Sequence, residues 1–156
     1  PITCSHAGLR AISPKNPRTH TDEGLKKLAD SGGIFGVVGS PSTFGPELPQ
    51  YSDVPAFLKC IDYAVNLLGE DHVGFALDQI QAPSMTEFLT SPDWPPEAVA
   101  SVNVELWPWS DGFKGMENHS GYPNLTRGMV AMGYSDERIM KVMGGNFIRL
   151  IKDVIG

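Results

Sequence analysis

Three short apolar runs, separated by segments of helical period, constrain this chain more than any other feature. "IFGVVG" from Ile34 and "HVGFAL" from His72 show no alternation of polar and apolar side chains, and Ile2 to Cys4 opens the chain in the same way. A strand with one face in water alternates; a strand without alternation is covered on both faces. Between the first two runs, "THTDEGLKKLADSGG" carries a helix. Thr21 is its N-cap, Asp22 and Glu23 suit the positive end, Leu25 and Leu28 share one face, and Gly32-Gly33 stop it. Between the second and third runs, "DVPAFLKCIDYAVNLLGE" repeats apolar residues at Phe57, Ile61, Val65 and Leu68, with Asp53 as N-cap and Gly69 as stop. Strand, helix, strand, helix, strand, with every strand buried, predicts an α/β chain whose parallel sheet is covered by helices.

The pattern breaks at residues 79–121, where "SPDWPPEAV" and "LWPWSDGF" are rich in Pro, Ser and Trp. An irregular stretch of that length in a compact domain is usually functional; one short helix is expected around Pro96 to Ser101. The tail, "YPNLTRGMVAMGYSDERIMKVMGGNFIRLIKDVIG", reads as three helices, with Ser135 capping the middle one and Gly144-Gly145 preceding the last. Residues 1–156 thus form a single unit: strands and helices over 1–78, an irregular insert over 79–121, and C-terminal helices over 122–156. A closed eight-stranded (β/α) barrel needs about 250 residues. Three strands in 156 residues leave either a small open sheet or the last part of a barrel whose earlier strands lie on another polypeptide. The start at Pro1, directly before a strand, leads us to expect a processed or partial chain.

Charge removes several classes of partner. Twelve basic against 18 acidic side chains give a net charge of −6, with no basic stripe, so neither nucleic acid nor an anionic membrane is expected as a partner. No apolar run is long enough to span a bilayer. Cys4 and Cys60 form no CxxC pair and sit in apolar segments, which predicts two buried thiols in a reducing, cytoplasmic compartment. "NHS" at Asn118 and "NLT" at Asn124 match the glycosylation triplet, a pattern too short to carry weight.

In a parallel sheet, ligands gather at the C-terminal ends of the strands. His6 and Asp78 both fall at such ends. A neutral imidazole suits zinc, and a carboxylate binds metal or moves a proton. Arg18, in the loop after the first strand, can grip a substrate carboxylate in bidentate fashion. Each has a plainer reading: a satisfied core histidine, a turn former, half of a surface ion pair. His20, just before a helix, reads as solvated, and His72, beside Asp71, as a turn residue at the opposite end of the sheet. His119 lies in the irregular segment with nothing to assign it. Trp94, Trp107 and Trp109 either line a pocket or pin the insert down. "GSPST" lacks the Gly-x-Ser-x-Gly spacing of a nucleophile elbow, and "GGNF" lacks the Gly-Lys-Ser/Thr of a phosphate loop.

Taken in order, "SHAGLRAI…NPRTHTDEGLKKLADSGGIFGVV", "DHVGFALD" and "GYPNLTRGMVAMGYSDERIMKVMGGNFIRLI" resemble the C-terminal portion of the renal (membrane) dipeptidase family, zinc-dependent barrel hydrolases of the amidohydrolase type. The likeness covers residues 1–78 and about 116–152. It implies that the chain supplies strands six to eight of a TIM-like (β/α)8 barrel. It also implies roles. His6 matches a histidine that binds one of two zinc ions, Arg18 an arginine that contacts the substrate carboxylate, and Asp78 the aspartate that handles the proton of the attacking water. In such enzymes a hydroxide bridging the two metals attacks an amide carbonyl.

Two departures bear on substrate and partner. The family continues from that aspartate as Asp-Phe-Asp-Gly, whereas this chain reads "DQIQ" from Asp78 to Gln81, which alters the loop shaping the pocket. The family's other metal ligands come from earlier strands, absent here, so an N-terminal half is expected as a separate subunit, a cleaved chain or an omitted region. The expectation is a metal-dependent hydrolase of a dipeptide or similar small amide. The alternatives are a non-catalytic structural subunit of a dipeptidase-like complex, or a hydrolase of a small non-peptide amide or lactone.

Overall fold

The computed structural model describes residues 1–39, 53–78 and 114–156, with Pro92 and Pro95. At its centre lie four strands, β1 (Thr3–Leu9), β2 (Thr19–His20), β3 (Ile34–Val38) and β4 (Val73–Ala76), in the order β2-β1-β3-β4. Every pairing is parallel. β3 has a strand on each side and is buried at all five positions, which is why its sequence does not alternate.

Helix α1 (Asp22–Asp30) leads into β3, and helix α2 (Val54–Leu68) lies between β3 and β4 in the chain. Both begin where the sequence places them. Thr21 Oγ1 accepts from the Gly24 amide at 3.2 Å, and Asp53 Oδ1 from the Ala56 amide at 2.8 Å. Beyond α2, Gly69 adopts φ +86°, a region closed to most side chains. The periodic face of α2 packs on the sheet: Phe57, Ile61, Val65 and Leu68 are all buried with Phe35, Val37 and Val73 in one cluster. Each such side chain contributes about 1.5–3 kcal/mol on burial, so the face itself holds the helix in place.

The strands differ from expectation at the N-terminal edge: the first, expected to be covered on both faces, is exposed at Ile2, Thr3 and Ser5 and buried only from Ala7 to Leu9. The sequence reading places His6 at the C-terminal tip of the first strand and counts three; β1 runs on to Leu9, which puts His6 fourth of its seven residues, and β2 makes a fourth strand. The cause is pairing: Gly8 and Leu9 stand opposite Thr19 and His20, and a two-residue strand has no period to read. Cys4, expected buried, is only half-buried, while Cys60 is fully buried; both are free thiols. Burial raises the Cys4 pKa, an effect partly offset by a hydrogen bond with the His6 backbone, and pushes the Cys60 thiol up to about 12.

At the C-terminus a 3-10 turn (His119–Gly121) enters helix α3 (Tyr122–Ala131), followed by α4 (Asp136–Met140) and α5 (Asn146–Ile155). Ser135 caps α4. The expected break at Gly144-Gly145 is a kink rather than a loop: a π-helical segment, Lys141–Gly145, joins α4 to α5, with Gly144 at φ 141°. The α5 helix is tied to β4 by buried Asn146, whose Nδ2 donates to the Glu70 and Val73 carbonyl oxygens, both at 2.7 Å. Beside it the Phe147 ring lies where a Cβ on Gly74 would stand. Among the described residues no helix is long and apolar enough to cross a membrane. The three tryptophans, the short helix near Pro96 to Ser101, and "GSPST" beyond Gly39 lie outside the described residues.

Glu70 clamps this layer to the sheet, accepting from Lys141 Nζ at 2.8 Å and Arg138 Nε at 2.7 Å. Lys141 and then Arg138 hold its carboxyl below the ordinary value of 4.5. A depressed folded pKa gives stability that is present above the unfolded value and lost as pH falls through the folded one. Glu70→Gln should therefore lower the melting temperature at pH 7 and flatten its decline below pH 4.5. A melting temperature that follows the wild-type pH curve throughout would refute the clamp.

Candidate active site at the C-terminal ends of the strands

His6 is positioned by an irregularity in β1. Cys4 stands opposite Phe35 and Ala7 opposite Val37, so β1 takes three steps where β3 takes two. The extra residue falls at Ser5-His6, and a bulge of this kind re-aims a side chain. Gly36 makes room for it. A Cβ there would collide with the Ser5 carbonyl oxygen and come within 2.9 Å of its carbon. Ser5 Oγ lies 2.8 Å from His6 Nδ1, which leaves Nε2 as the nitrogen presented to the site.

Arg18 ends a loop that fastens its own backbone. Arg10 donates through Nε to Thr19 Oγ1 at 2.6 Å and through Nη2 to the Thr19 carbonyl at 2.8 Å. The Thr19 hydroxyl in turn donates to the Asn16 carbonyl at 2.7 Å. The Arg18 amide donates to Asn16 Oδ1 at 2.9 Å, and its carbonyl accepts from the Gly8 amide at 3.2 Å. The guanidinium beyond this frame remains 55% exposed.

Asp78 follows β4 after buried Leu77. It alone among the described non-glycine residues has a positive φ, 50°. That left-handed conformation costs of the order of 1–3 kcal/mol and clusters at functional sites, Asp tolerating it better than most. The carboxylate meets both partners here: Oδ2 is 3.8 Å from His6 Nε2 and 4.0 Å from Arg18 Nη2. His6 lies on β1 and Asp78 just beyond β4, two strands that flank β3 and stand roughly 10 Å apart at two strand spacings, so their side chains converge across it. Both contacts exceed hydrogen-bond length and all three groups are partly exposed, so the attraction contributes little stability, about 0–1 kcal/mol for each pair. The arrangement holds an imidazole, a carboxylate and a guanidinium around one small volume.

The other histidines stand apart in role. His72 Nδ1 donates to the Gly33 carbonyl at 2.9 Å, at the N-terminal end of β4. His20 is exposed, and His119 meets the Tyr122 ring edge-on at 5.4 Å. Ser5, Arg10, Asn16, Thr19 and Gly36 frame the site without having been singled out in the sequence. Their signal is three-dimensional, since each acts through a contact with a neighbour in space that no motif encodes.

As donors, His6 and Asp78 suit zinc in type but not in number. Among the described residues no three of His, Cys, Asp or Glu come together, and a catalytic zinc takes three protein ligands. These residues therefore do not make up a metal site by themselves.

The family model described as membrane dipeptidase, peptidase family M19, matches residues 1–91 and 109–155. The chain belongs to the membrane dipeptidase family. The match extends beyond the segments quoted from the sequence and leaves 92–108 outside. A Klebsiella pneumoniae protein, uncharacterized and encoded in the pqqA 5′ region, is 28% identical over 99% of this chain, which covers 47% of it. A Claviceps purpurea dipeptidase is 25% identical over 99% of this chain, which covers 29% of that protein. Among solved structures, an amidohydrolase from Pseudomonas aeruginosa superposes with a TM-score of 0.78 at 27% identity, over 99% of this chain and 46% of that one. The chain therefore spans about half, or less, of the relatives it matches, and its α/β sheet is part of the family's barrel.

Gly36→Ala should displace the bulge, moving His6 away from Asp78 and lowering stability by about 1–3 kcal/mol, the usual range for overpacking. Crystallography of the variant, with a denaturant titration, checks both. An unmoved His6 would show that the bulge does not need Gly36.

Proposed function

We propose that this chain provides the acid–base and carboxylate-binding side of a metal-dependent hydrolase that cleaves dipeptides or similarly small amides. What carries the reading is that Asp78, just beyond β4, lies within 4.0 Å of both His6 on β1 and Arg18 in the loop before β2. Family membership supports the reaction class.

His6 offers Nε2 as a zinc ligand, with Nδ1 oriented by Ser5; the remaining ligands for two zinc ions come from outside these residues. When bound, the metal supplies Lewis acidity and a nucleophilic water at neutral pH. Arg18 holds the free carboxylate of the substrate in a bidentate pair. Asp78 accepts a proton from the attacking water and delivers it to the leaving amine. The segment after Asp78 differs from the family's Asp-Phe-Asp-Gly, which supports small amides other than ordinary dipeptides as further substrates. Two free thiols support a reducing, cytoplasmic location.

The assay uses the assembly containing this chain, its composition fixed by intact and native mass, with zinc measured alongside. Asp78→Asn should lower kcat about 10²–10⁴-fold, the range for one acid–base group, with zinc content unchanged. Retained turnover would exclude the proton-transfer role, and an assembly free of metal would favour the non-catalytic reading.

Arg18→Ala should raise KM for dipeptides with a free C-terminal carboxylate by about 10- to 100-fold, the loss expected for hydrogen bonds between charged groups. Amide-capped dipeptides should change little. Equal loss on both substrates would make Arg18 structural.

A further inference from the structure

Asp78 stands where the carboxylate of a ligand would compete with it. Among the described residues it is the one carboxylate within 4.0 Å of the Arg18 guanidinium, meeting Nη2 through Oδ2. The same oxygen lies 3.8 Å from His6 Nε2, so it faces an imidazole and a guanidinium and closes on neither. A carboxylate gripped by a guanidinium in bidentate fashion comes to about 2.7–2.9 Å through two parallel hydrogen bonds. The Asp78 contact is a single approach and about 1 Å longer.

Both ends of the contact are anchored behind the side chains. Asn16 and Gly8 hold the Arg18 backbone by hydrogen bonds of 2.9 and 3.2 Å, and Asp78 is set by its left-handed turn at φ 50°. The side chains themselves are 55% and 45% exposed, open to an incoming anion. Arg10, the other guanidinium of this loop, commits Nε and Nη2 to Thr19. A ligand carboxylate gripped through both Nη atoms of Arg18 takes over the nitrogen that faces Asp78. It also brings a second negative charge against the first, which drives the two apart.

From this geometry we propose that Asp78 is an internal competitor for the substrate carboxylate, occupying Arg18 until a ligand with a two-point grip displaces it. The competition sets a threshold on ligand choice. A carboxylate that closes the fork wins Arg18, whereas a neutral amide end leaves the Arg18–Asp78 contact in place. The inference deepens the reading of Arg18 as the carboxylate-binding group and rests on it.

The probe is propionate, with propionamide as its neutral counterpart, titrated into the assembly containing this chain and followed by ligand-observed nuclear magnetic resonance. Asp78→Asn removes the charge and keeps the side-chain shape, and asparagine tolerates a positive φ as aspartate does. It should tighten propionate about two- to fivefold, the range set by one exposed ion pair, and leave propionamide unchanged. Asp78→Gly, unstrained at this φ, is a second uncharged variant and should show the same gain. Made together with Arg18→Gln, either substitution should give no gain, because the group competed for is gone. Melting curves verify that each variant folds. No gain from either Asp78 variant would overturn the competition. So would an equal gain with and without Arg18, which would mean only a weaker negative field. Propionate binding that Arg18→Gln leaves untouched would instead remove Arg18 as the carboxylate site, the reading beneath the proposal.

Discussion

The close approach of β1 to β3 across Gly36 is the constraint on which the candidate site depends. A parallel pair in strict register would send alternate β1 side chains to opposite faces and carry His6 wherever that alternation put it. One extra residue in β1 breaks the register, and a glycine opposite the Ser5 carbonyl lets the two backbones remain close where it does. The imidazole is thereby set toward the end of β4, where Asp78 turns into a left-handed conformation. Two local departures from regular sheet geometry, two strands apart, account for the convergence.

The third group arrives by different means. Arg18 is held by a loop tied to β1, β2 and itself by hydrogen bonds: Arg10 to Thr19, Thr19 to Asn16, Arg18 to Asn16 and Gly8. The loop backbone is held in place and the Arg18 side chain is left more than half exposed. Such a group can shift toward a ligand without disturbing the sheet. The C-terminal layer has the opposite character. Asn146, Glu70, Arg138 and Lys141 connect it to the start of β4 through short hydrogen bonds, at the end of the sheet away from the candidate site. The polar ties of the C-terminal layer and the candidate site thus lie at opposite ends of the same strands.

Much of the fold was legible in the sequence because it rests on local physics. Thr21, Asp53 and Ser135 cap helices as their side-chain oxygens require, Gly69 stops α2, and the period of Phe57, Ile61, Val65 and Leu68 marks the face that is buried. β3 was recognisable by its lack of alternation. β2 was not, since Thr19-His20 is a strand only through its pairing with Gly8-Leu9. For the same reason β1 reads as ending at His6: Ala7 to Leu9 belong to the strand through their pairing with β3 and β2. The kink at Gly144 was visible as a break, but whether glycines interrupt a helix or bend it depends on what α4 and α5 pack against.

The sequence by itself determined the order of buried strands and amphipathic helices, and the residue types able to do chemistry at strand ends. Those follow from burial, caps and charge, which act over a few residues. Only the tertiary structure decided that His6, Arg18 and Asp78 share one volume, because that depends on which strands are neighbours, on a one-residue bulge, and on a glycine thirty positions away from the histidine it accommodates. Distances between residues far apart in the chain are set by pairing and packing, and no local pattern encodes them.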